Sequence, residues 1–191
     1  MLLLSMMASF GATTLRAQHT DITFNPMSAL LGTAVVMVEI PVSEVVALEL
    51  QSSYFFRAQR FWTQNYRTEG YRIGALAHLY MNEEAEHAKW SVFAYSRFLN
   101  VRYEAIELST TFFERDSYTL SQMSIGLGGS YKQILGNDFV LSVGAGLGRN
   151  FARRLVREEG QTGDFLSLGN QATRDIDLYG RITFGYRLLN K

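Results

Sequence analysis

The chain has no cysteine among its 191 residues, which excludes disulfide bonds and thiolate metal sites. It has no stretch close to the roughly 20 apolar residues that a membrane helix needs, so it could cross a membrane only as a closed barrel. Its formal net charge is zero and it contains no long basic run, so it lacks the electrostatic signature of a nucleic-acid-binding protein. A mean hydropathy of −0.03 does not argue against a membrane barrel, because half of each barrel strand is polar.

The longest regular pattern is a strict alternation over residues 117–151, which the turn Gly136-Asn137-Asp138 divides into two runs. Large apolar side chains recur at every second position, and small or polar residues lie between them. The apolar set comprises Met123, Ile125, Leu127, Tyr131, Phe139, Leu141, Val143, Ala145 and Leu147. Successive side chains of a strand point to opposite faces, so the pattern predicts a long β-hairpin with one apolar face.

The second face of this hairpin is mostly glycine and serine. A water-soluble barrel with its apolar face inside would carry many Lys and Glu outside, whereas a face so poor in charge suits a crowded barrel interior. The apolar face would then meet hydrocarbon, with Tyr131 and Phe139 in an aromatic girdle near the turn. The hairpin therefore indicates a transmembrane β-barrel. A soluble ligand-binding barrel with both faces reversed is the alternative.

Similar alternation before and after this hairpin raises the count to seven clear strands. Connections are tight near residues 41 and 137 and long near residues 60, 110 and 160, as in barrels with short periplasmic turns and longer extracellular loops. Bacterial single-chain barrels have an even number of strands, so residues 20–27 are predicted to form the eighth, although Pro26 also permits a plug there. We predict an all-β fold, an eight-stranded antiparallel up-and-down transmembrane β-barrel, over residues 18–191.

Residues 1–17 have a short apolar core followed by small residues, with a candidate cleavage position after Ala17. The core is too short to span a bilayer, so it predicts a secretory signal peptide. The segment departs from the usual pattern in two ways, because no basic residue precedes the core and Leu15 stands three residues from the cut.

The loop asymmetry and the terminal strand LYGRITFGYRL resemble those of the small OmpA/OmpX-like outer-membrane β-barrels of Gram-negative bacteria. Asn25, Pro26, Leu30, Gly32 and Glu39 are similar to an uncharacterised barrel family with an Asn-Pro-Leu-x-x-Leu-x-Gly opening, where this chain has Met in place of the first Leu. The resemblance implies a non-enzymatic protein of the outer membrane with a structural or surface-interaction role. Its implied partners are outer-membrane lipid and lipopolysaccharide, together with an extracellular or periplasmic protein.

The predicted inward faces carry nine ionisable residues: Glu39, Glu49, Arg72, His78, Arg102, Glu104, Lys132, Arg181 and Arg187. This assignment leaves the apolar face of residues 90–104 outward, with Arg97 interrupting it. The interior of an eight-stranded barrel is only wide enough for side chains, and an isolated buried charge is costly. Opposite charges must therefore pair, which predicts a plug of ion pairs and hydrogen bonds. A narrow pore for ions or small solutes is the alternative.

No catalytic, cofactor or metal residue is predicted. His78 lacks the Ser two residues on that lipid A deacylases have, although a lipid A-modifying enzyme stays an alternative. His87 lies beside Glu83, Glu84 and Glu86 in what reads as a solvated turn rather than a cation site.

The glycines of residues 144–148 lie inside an alternating strand and not in a nucleotide-binding turn. They are predicted to make room for Arg and Tyr side chains from the opposite wall.

Overall fold

The computed structural model describes residues 19–56, 58–61, 64–81, 88–108, 113–136, 138–157 and 175–189. These residues form nine strands and one short helix: β1 (His19–Phe24), α1 (Pro26–Leu30), β2 (Thr33–Pro41), β3 (Val46–Phe55), β4 (Ala58–Phe61), β5 (Gln64–Tyr80), β6 (Ala88–Leu108), β7 (Phe113–Leu135), β8 (Phe139–Arg157) and β9 (Ile176–Leu189). Among the described residues, no helix is long and apolar enough to cross a membrane. The predicted signal peptide and the His87 cluster lie outside the described residues.

Every pair of neighbouring strands is antiparallel, and the sheet closes on itself. The strand order is β3-β2-β1-β9-β8-β7-β6-β5, and β3 pairs with β5 to complete the circle. The short strand β4 pairs only with the start of β5 and continues the wall beyond the end of β3. The wall therefore has eight positions, which confirms the predicted eight-stranded antiparallel barrel.

The first segment of the barrel forms a strand and not a plug, because β1 pairs with both β2 and β9. The strand ends at Phe24, and the Asn25 side chain accepts the Ser28 backbone N–H at 3.0 Å. Asn25 thus caps α1, and Pro26 occupies the first helical turn, where its missing N–H costs nothing. The predicted strand over residues 20–27 therefore gives way to a helical turn after Phe24.

The two ends of the barrel differ. The turn end carries His19, Leu189 and the connections β2–β3, β5–β6 and β7–β8, and the open end carries α1, the β4 hairpin and the far ends of β5–β8. Strands β5, β6, β7 and β8 have 17, 21, 23 and 19 residues, well beyond the roughly 9–11 that cross a bilayer. Strand β6 reaches Leu108 and β7 begins at Phe113, so both strands are longer than a bilayer crossing requires.

Strand β8 also continues to Arg157, so Arg153 and Arg154 belong to this strand. The pairing of β7 with β8 shifts by one residue between Ser121 and Met123. The ladder therefore continues past this β-bulge, beyond the point where the sequence alternation breaks.

The outer wall is a continuous apolar surface. Its most exposed members include Leu178 at 75%, Leu127 at 69% and Leu147 at 62%. Toward the turn end, Trp90 packs on Tyr131 with ring centroids 4.8 Å apart, and Phe139 packs on Tyr186 at 5.7 Å. Toward the open end, Tyr71 packs on Phe98 at 6.2 Å. Aromatic residues thus border the apolar belt on both sides, and the faces predicted for the central hairpin are confirmed.

Candidate functional site in the barrel interior

The barrel interior is filled by side chains whose character changes along its axis. From the turn end to the open end, the inward residues of β6 are Ser91, Phe93, Tyr95, Arg97, Leu99 and Val101, and none is more than 8% exposed. The neighbouring strand β5 presents Tyr80, His78 and Leu76 in the same direction. The interior therefore has an ion-paired zone nearest the turns, an aromatic layer next to it, and an apolar cluster toward the open end.

Of the predicted interior residues, the structure buries Glu39, Glu49, His78, Lys132 and Arg181, each at most 7% exposed. Arg72 and Arg187 also face inward and are partly buried.

The interior assignment of Arg102 and Glu104 is wrong. Their side chains are 45% and 30% exposed on the outer face, where they form an ion pair at 3.4 Å. The apolar run of β6 faces inward instead, which places Arg97 inside. Arg97 was the signal in the sequence that this face points inward. An arginine inside the barrel can reach an acidic partner, whereas an arginine on a lipid-facing surface cannot.

The glycines of β7 and β8 explain why the apolar face of β6 turns inward. A Cβ atom on Gly128 would lie 2.3 Å from Phe93 Cζ, and one on Gly126 would lie 2.4 Å from Tyr95 Cζ. A Cβ atom on Gly148 would lie 2.5 Å from the Tyr95 hydroxyl oxygen. The space that these glycines leave empty is filled by the two aromatic rings. The sequence had predicted side chains from the opposite wall. Both rings instead come from β6, which is next to β7 and two positions from β8 in the sheet.

Replacing Gly128 with alanine is expected to destabilise the barrel by about 1–3 kcal/mol, the usual cost of overpacking. The new Cβ would meet Phe93 Cζ and also the Ala145 carbonyl oxygen, 2.5 Å away. Urea unfolding of the refolded protein in detergent measures the loss. Gly180→Ala is the matched control, because nothing lies within 4 Å of its Cβ position. Equal stability of the two variants would contradict this packing.

The first ion-paired cluster lies at the turn end. Lys132 Nζ is 2.5 Å from Glu39 Oε1 and 3.1 Å from Asp21 Oδ2. Arg187 donates to both Asp21 carboxylate oxygens, at 2.9 and 3.0 Å, and the Tyr80 hydroxyl donates to Glu39 at 2.6 Å. Asp21 was missed by the sequence reasoning, although its position two residues before Thr23 on β1 places it on the inward face. Each charged group in this cluster has an opposite partner.

The second cluster lies next to it along the axis. Arg181 Nη1 is 2.5 Å from both carboxylate oxygens of Glu49. His78 Nε2 lies 3.5 Å from Glu49, and His78 Nδ1 lies 3.1 Å from Ser91 Oγ, which is 2.7 Å from Ser130 Oγ. Ser91 comes from the neighbouring strand, so a search for a serine close in sequence to His78 could not find it. The arrangement is acid, histidine and serine in series, but all of it lies inside the barrel wall.

An aromatic layer separates these clusters from the open end. Phe93, Tyr95, Tyr179 and Leu76 pack together. The Arg97 guanidinium lies 4.9 Å from the Tyr95 ring centroid and 4.8 Å from that of Tyr179, and it forms an ion pair with Asp177. Cation–π contacts of a desolvated arginine on two rings add to this ion pair. The layer therefore places packed aromatic rings and an ion-paired arginine in the middle of the interior.

The donor atoms of Glu39, Glu49 and His78 lie within 4.8 Å of one another, close enough to consider a metal ion. Glu39 already binds Lys132, and Glu49 already binds Arg181. The acids and cations of the two clusters balance, so a divalent cation would add uncompensated charge to a buried network. The geometry therefore fits an internally neutralised network and not a metal centre.

The fold and interior together define a class: a closed eight-stranded antiparallel β-barrel with an apolar outer wall and a filled polar interior. No family model matches the chain, and no curated protein matches it in sequence. Among solved structures, it is similar to a major outer membrane protein from Thermus thermophilus, with 10% identity and a TM-score of 0.58 over 89% of this chain and 99% of that one.

Two further solved structures are more distant. The N-terminal β-barrel domain of Pseudomonas aeruginosa OprF has 10% identity and a TM-score of 0.41 over 90% of this chain and 98% of that one. Neisserial surface protein A has 11% identity and a TM-score of 0.35 over 90% of this chain and 95% of that one. Of these three, the Thermus structure is the one similar enough to support an argument, and what it supports is the barrel fold. The resemblance to the family with the Asn-Pro-Leu opening stays a prediction.

Proposed function

We propose that the chain is a non-enzymatic transmembrane barrel of a Gram-negative outer membrane, with a structural or surface-interaction role and an interior closed by its own side chains. The observation that supports this proposal is that the barrel has apolar residues on its outer surface and charged residues inside. Large apolar residues such as Leu178 are 75% exposed, while Lys132 and Arg181 are 4% and 5% exposed. An apolar surface that encircles the molecule is unfavourable in water and favourable in hydrocarbon. Outer-membrane lipid and lipopolysaccharide are then its immediate surroundings.

The closed interior supports a structural role over a pore. Two ion-paired clusters and the Tyr95–Arg97–Tyr179 stack follow one another along the axis, so an ion would have to break several buried pairs to pass. Breaking one buried pair costs several kcal/mol.

We infer that the acid–histidine–serine series is structural. Lipid modification requires a nucleophile that reaches the lipid-facing wall. His78 is 1% exposed and Ser91 is 3% exposed, and both point into the barrel. Their hydrogen bonds link β5, β6 and β7 and satisfy polar groups that burial would otherwise leave unpaired.

The proposal predicts the behaviour of the full-length chain in a Gram-negative host. It should fractionate with the outer membrane and shift in gel mobility between unheated and boiled detergent samples. The same protein in planar bilayers should give no discrete conductance steps, because the ion pairs and the aromatic layer close the interior.

A soluble periplasmic product without the mobility shift would contradict the membrane assignment and favour a soluble ligand-binding barrel. Discrete conductance steps that Arg181→Ala or Glu49→Ala alters would instead contradict the closed interior and favour the narrow pore. The two results are independent, so the membrane assignment and the closed interior are tested separately.

A further inference from the structure

The inner face of the open end carries an apolar cluster with cations beside it. Leu99, Val101 and Leu120 are buried there, and Phe55 and Tyr103 pack against them. The cluster lies beyond Arg97 on β6, so the aromatic layer separates it from the ion-paired zone. We call this group, with Arg72 and Arg153, the open-end site.

Arg72 is the first unusual member of the open-end site. Its guanidinium carbon lies 5.1 Å from the Phe55 ring centroid, and the residue is partly buried on the inner face. Asp177 is the acid that acts on it electrostatically, but Asp177 is already paired with Arg97, which repels Arg72. Among the described residues, Arg72 has no ion pair or hydrogen bond. A partly buried cation without a partner is energetically costly, and the binding of an anion would remove that cost.

Arg153 is brought to the same place by the bulge in β8. Phe151 pairs with Met123 and Arg154 pairs with Ser121, so both face outward. Two residues between them oppose one on β7, and the first, Ala152, has a φ of 49°. A positive φ is uncommon for alanine, and such bulges redirect side chains.

The bulge reverses the alternation and turns Arg153 inward. Arg153 and Arg72 both act electrostatically on Tyr103, so the two guanidiniums lie in the neighbourhood of the same residue. Within the described ranges, Arg153 has no ion pair.

Two arginines on the outer face of the same end have acidic partners. Arg67 pairs with Glu69 at 3.8 Å, and Arg102 pairs with Glu104 at 3.4 Å. Arg154, also on the outer face, has no ion pair among the described residues, so what distinguishes the inner face is an apolar cluster beside its guanidiniums. An apolar cluster with two guanidiniums at its edge matches a ligand that has an apolar part and an anionic group.

We propose that the open-end site binds an amphipathic organic anion, a carboxylate or phosphate ester attached to an apolar or aromatic group. Arg72 and Arg153 bind the anionic group, and Leu99, Leu120 and Tyr103 contact the apolar part. The layer of Tyr95, Arg97 and Tyr179 closes the barrel beneath the site, so the ligand is held and not conducted. This binding goes beyond the proposed structural role and does not depend on it.

The test uses the full chain refolded into phosphatidylcholine nanodiscs and titrated calorimetrically with phenyl phosphate. Inorganic phosphate tests the anionic half of the ligand alone, and benzyl alcohol tests the aromatic half alone. We expect saturable binding of phenyl phosphate and weaker binding of both partial probes. Arg72→Gln and Arg153→Gln should each weaken binding by about tenfold or more, because each removes a charge-assisted hydrogen bond.

Arg67→Gln is the matched control, because it removes an arginine from the outer face of the same strand as Arg72, and it should leave binding unchanged. Gel mobility verifies folding of each variant. Arg153 is exposed, so Arg153→Gln tests the site even if Arg72→Gln does not fold. Absence of saturable binding, binding that neither interior variant weakens, or inorganic phosphate binding as tightly as phenyl phosphate would each overturn the proposal.

Discussion

Replacing Arg181 with methionine is expected to lower the free energy of unfolding by about 3–5 kcal/mol, because it leaves the Glu49 carboxylate buried without its cation. Arg181 Nη1 is 2.5 Å from both Glu49 oxygens, and the two side chains are 2% and 3% exposed. His78 is the remaining neighbour, at 3.5 Å. Urea unfolding of the refolded barrel, under conditions where folding and unfolding curves coincide, measures the change.

Two further variants separate the buried pair from a general effect of losing arginine. Arg67→Met breaks the pair with Glu69, whose side chains are 63% and 54% exposed, and should cost at most about 1 kcal/mol. The double variant Glu49→Leu with Arg181→Met removes both charges and should recover much of the lost stability. A double variant no more stable than Arg181→Met, or an Arg181→Met loss no larger than that of Arg67→Met, would contradict the ion-paired interior.

Replacing Leu127 with arginine should destabilise the protein in a lipid bilayer by about 2–4 kcal/mol, the cost of a cation near the bilayer midplane. Leu127 is 69% exposed on the outer wall and pairs with Ala94 and Leu147 on the two neighbouring strands. It lies four residues from Tyr131 and four from Met123, midway across the belt. Unfolding of the protein reconstituted in phosphatidylcholine vesicles provides the measurement.

The same substitution distinguishes hydrocarbon from water around the wall. An exposed leucine on a water-soluble protein can be replaced by arginine within about 0.5 kcal/mol. Gln133→Arg, on the outward face of the same strand but beyond Tyr131 toward the turn end, is the control for position, since the cost falls toward the interface. Equal effects of Leu127→Arg and Gln133→Arg would contradict a membrane-spanning belt.

The barrel class was predictable because β-strand alternation is a local property. Along the central hairpin, Ile125, Leu127 and Val143 face outward and Ser124 and Lys132 face inward, as the period of two requires. The choice of hydrocarbon outside followed from the lack of charge on the second face. The number of strands followed from the even count of bacterial barrels, and the pairing of β1 with β9 confirmed it.

The charged interior was predictable in kind but not in its pairs. Inward Glu49 and Arg181 were recognised from alternation, yet 132 positions separate them in the chain. Only closure of the barrel decides that β3 and β9 face each other across the interior. Asp21 was missed because it lies on β1. This strand has six residues, and so short a run shows too little alternation to indicate which face is inward.

The sequence by itself determined the alternation, the tight turns and the barrel class, since each depends on neighbours within a few residues. The tertiary structure alone decided the orientation of β6 and the pairing of the interior charges. Alternation separates the two faces of a strand, but it does not show which face is inward when both contain polar and apolar residues. On β6 the deciding factor was the space left by glycines on β7 and β8. Phe93 and Tyr95 fill that space, and Arg102 and Glu104 therefore lie outside.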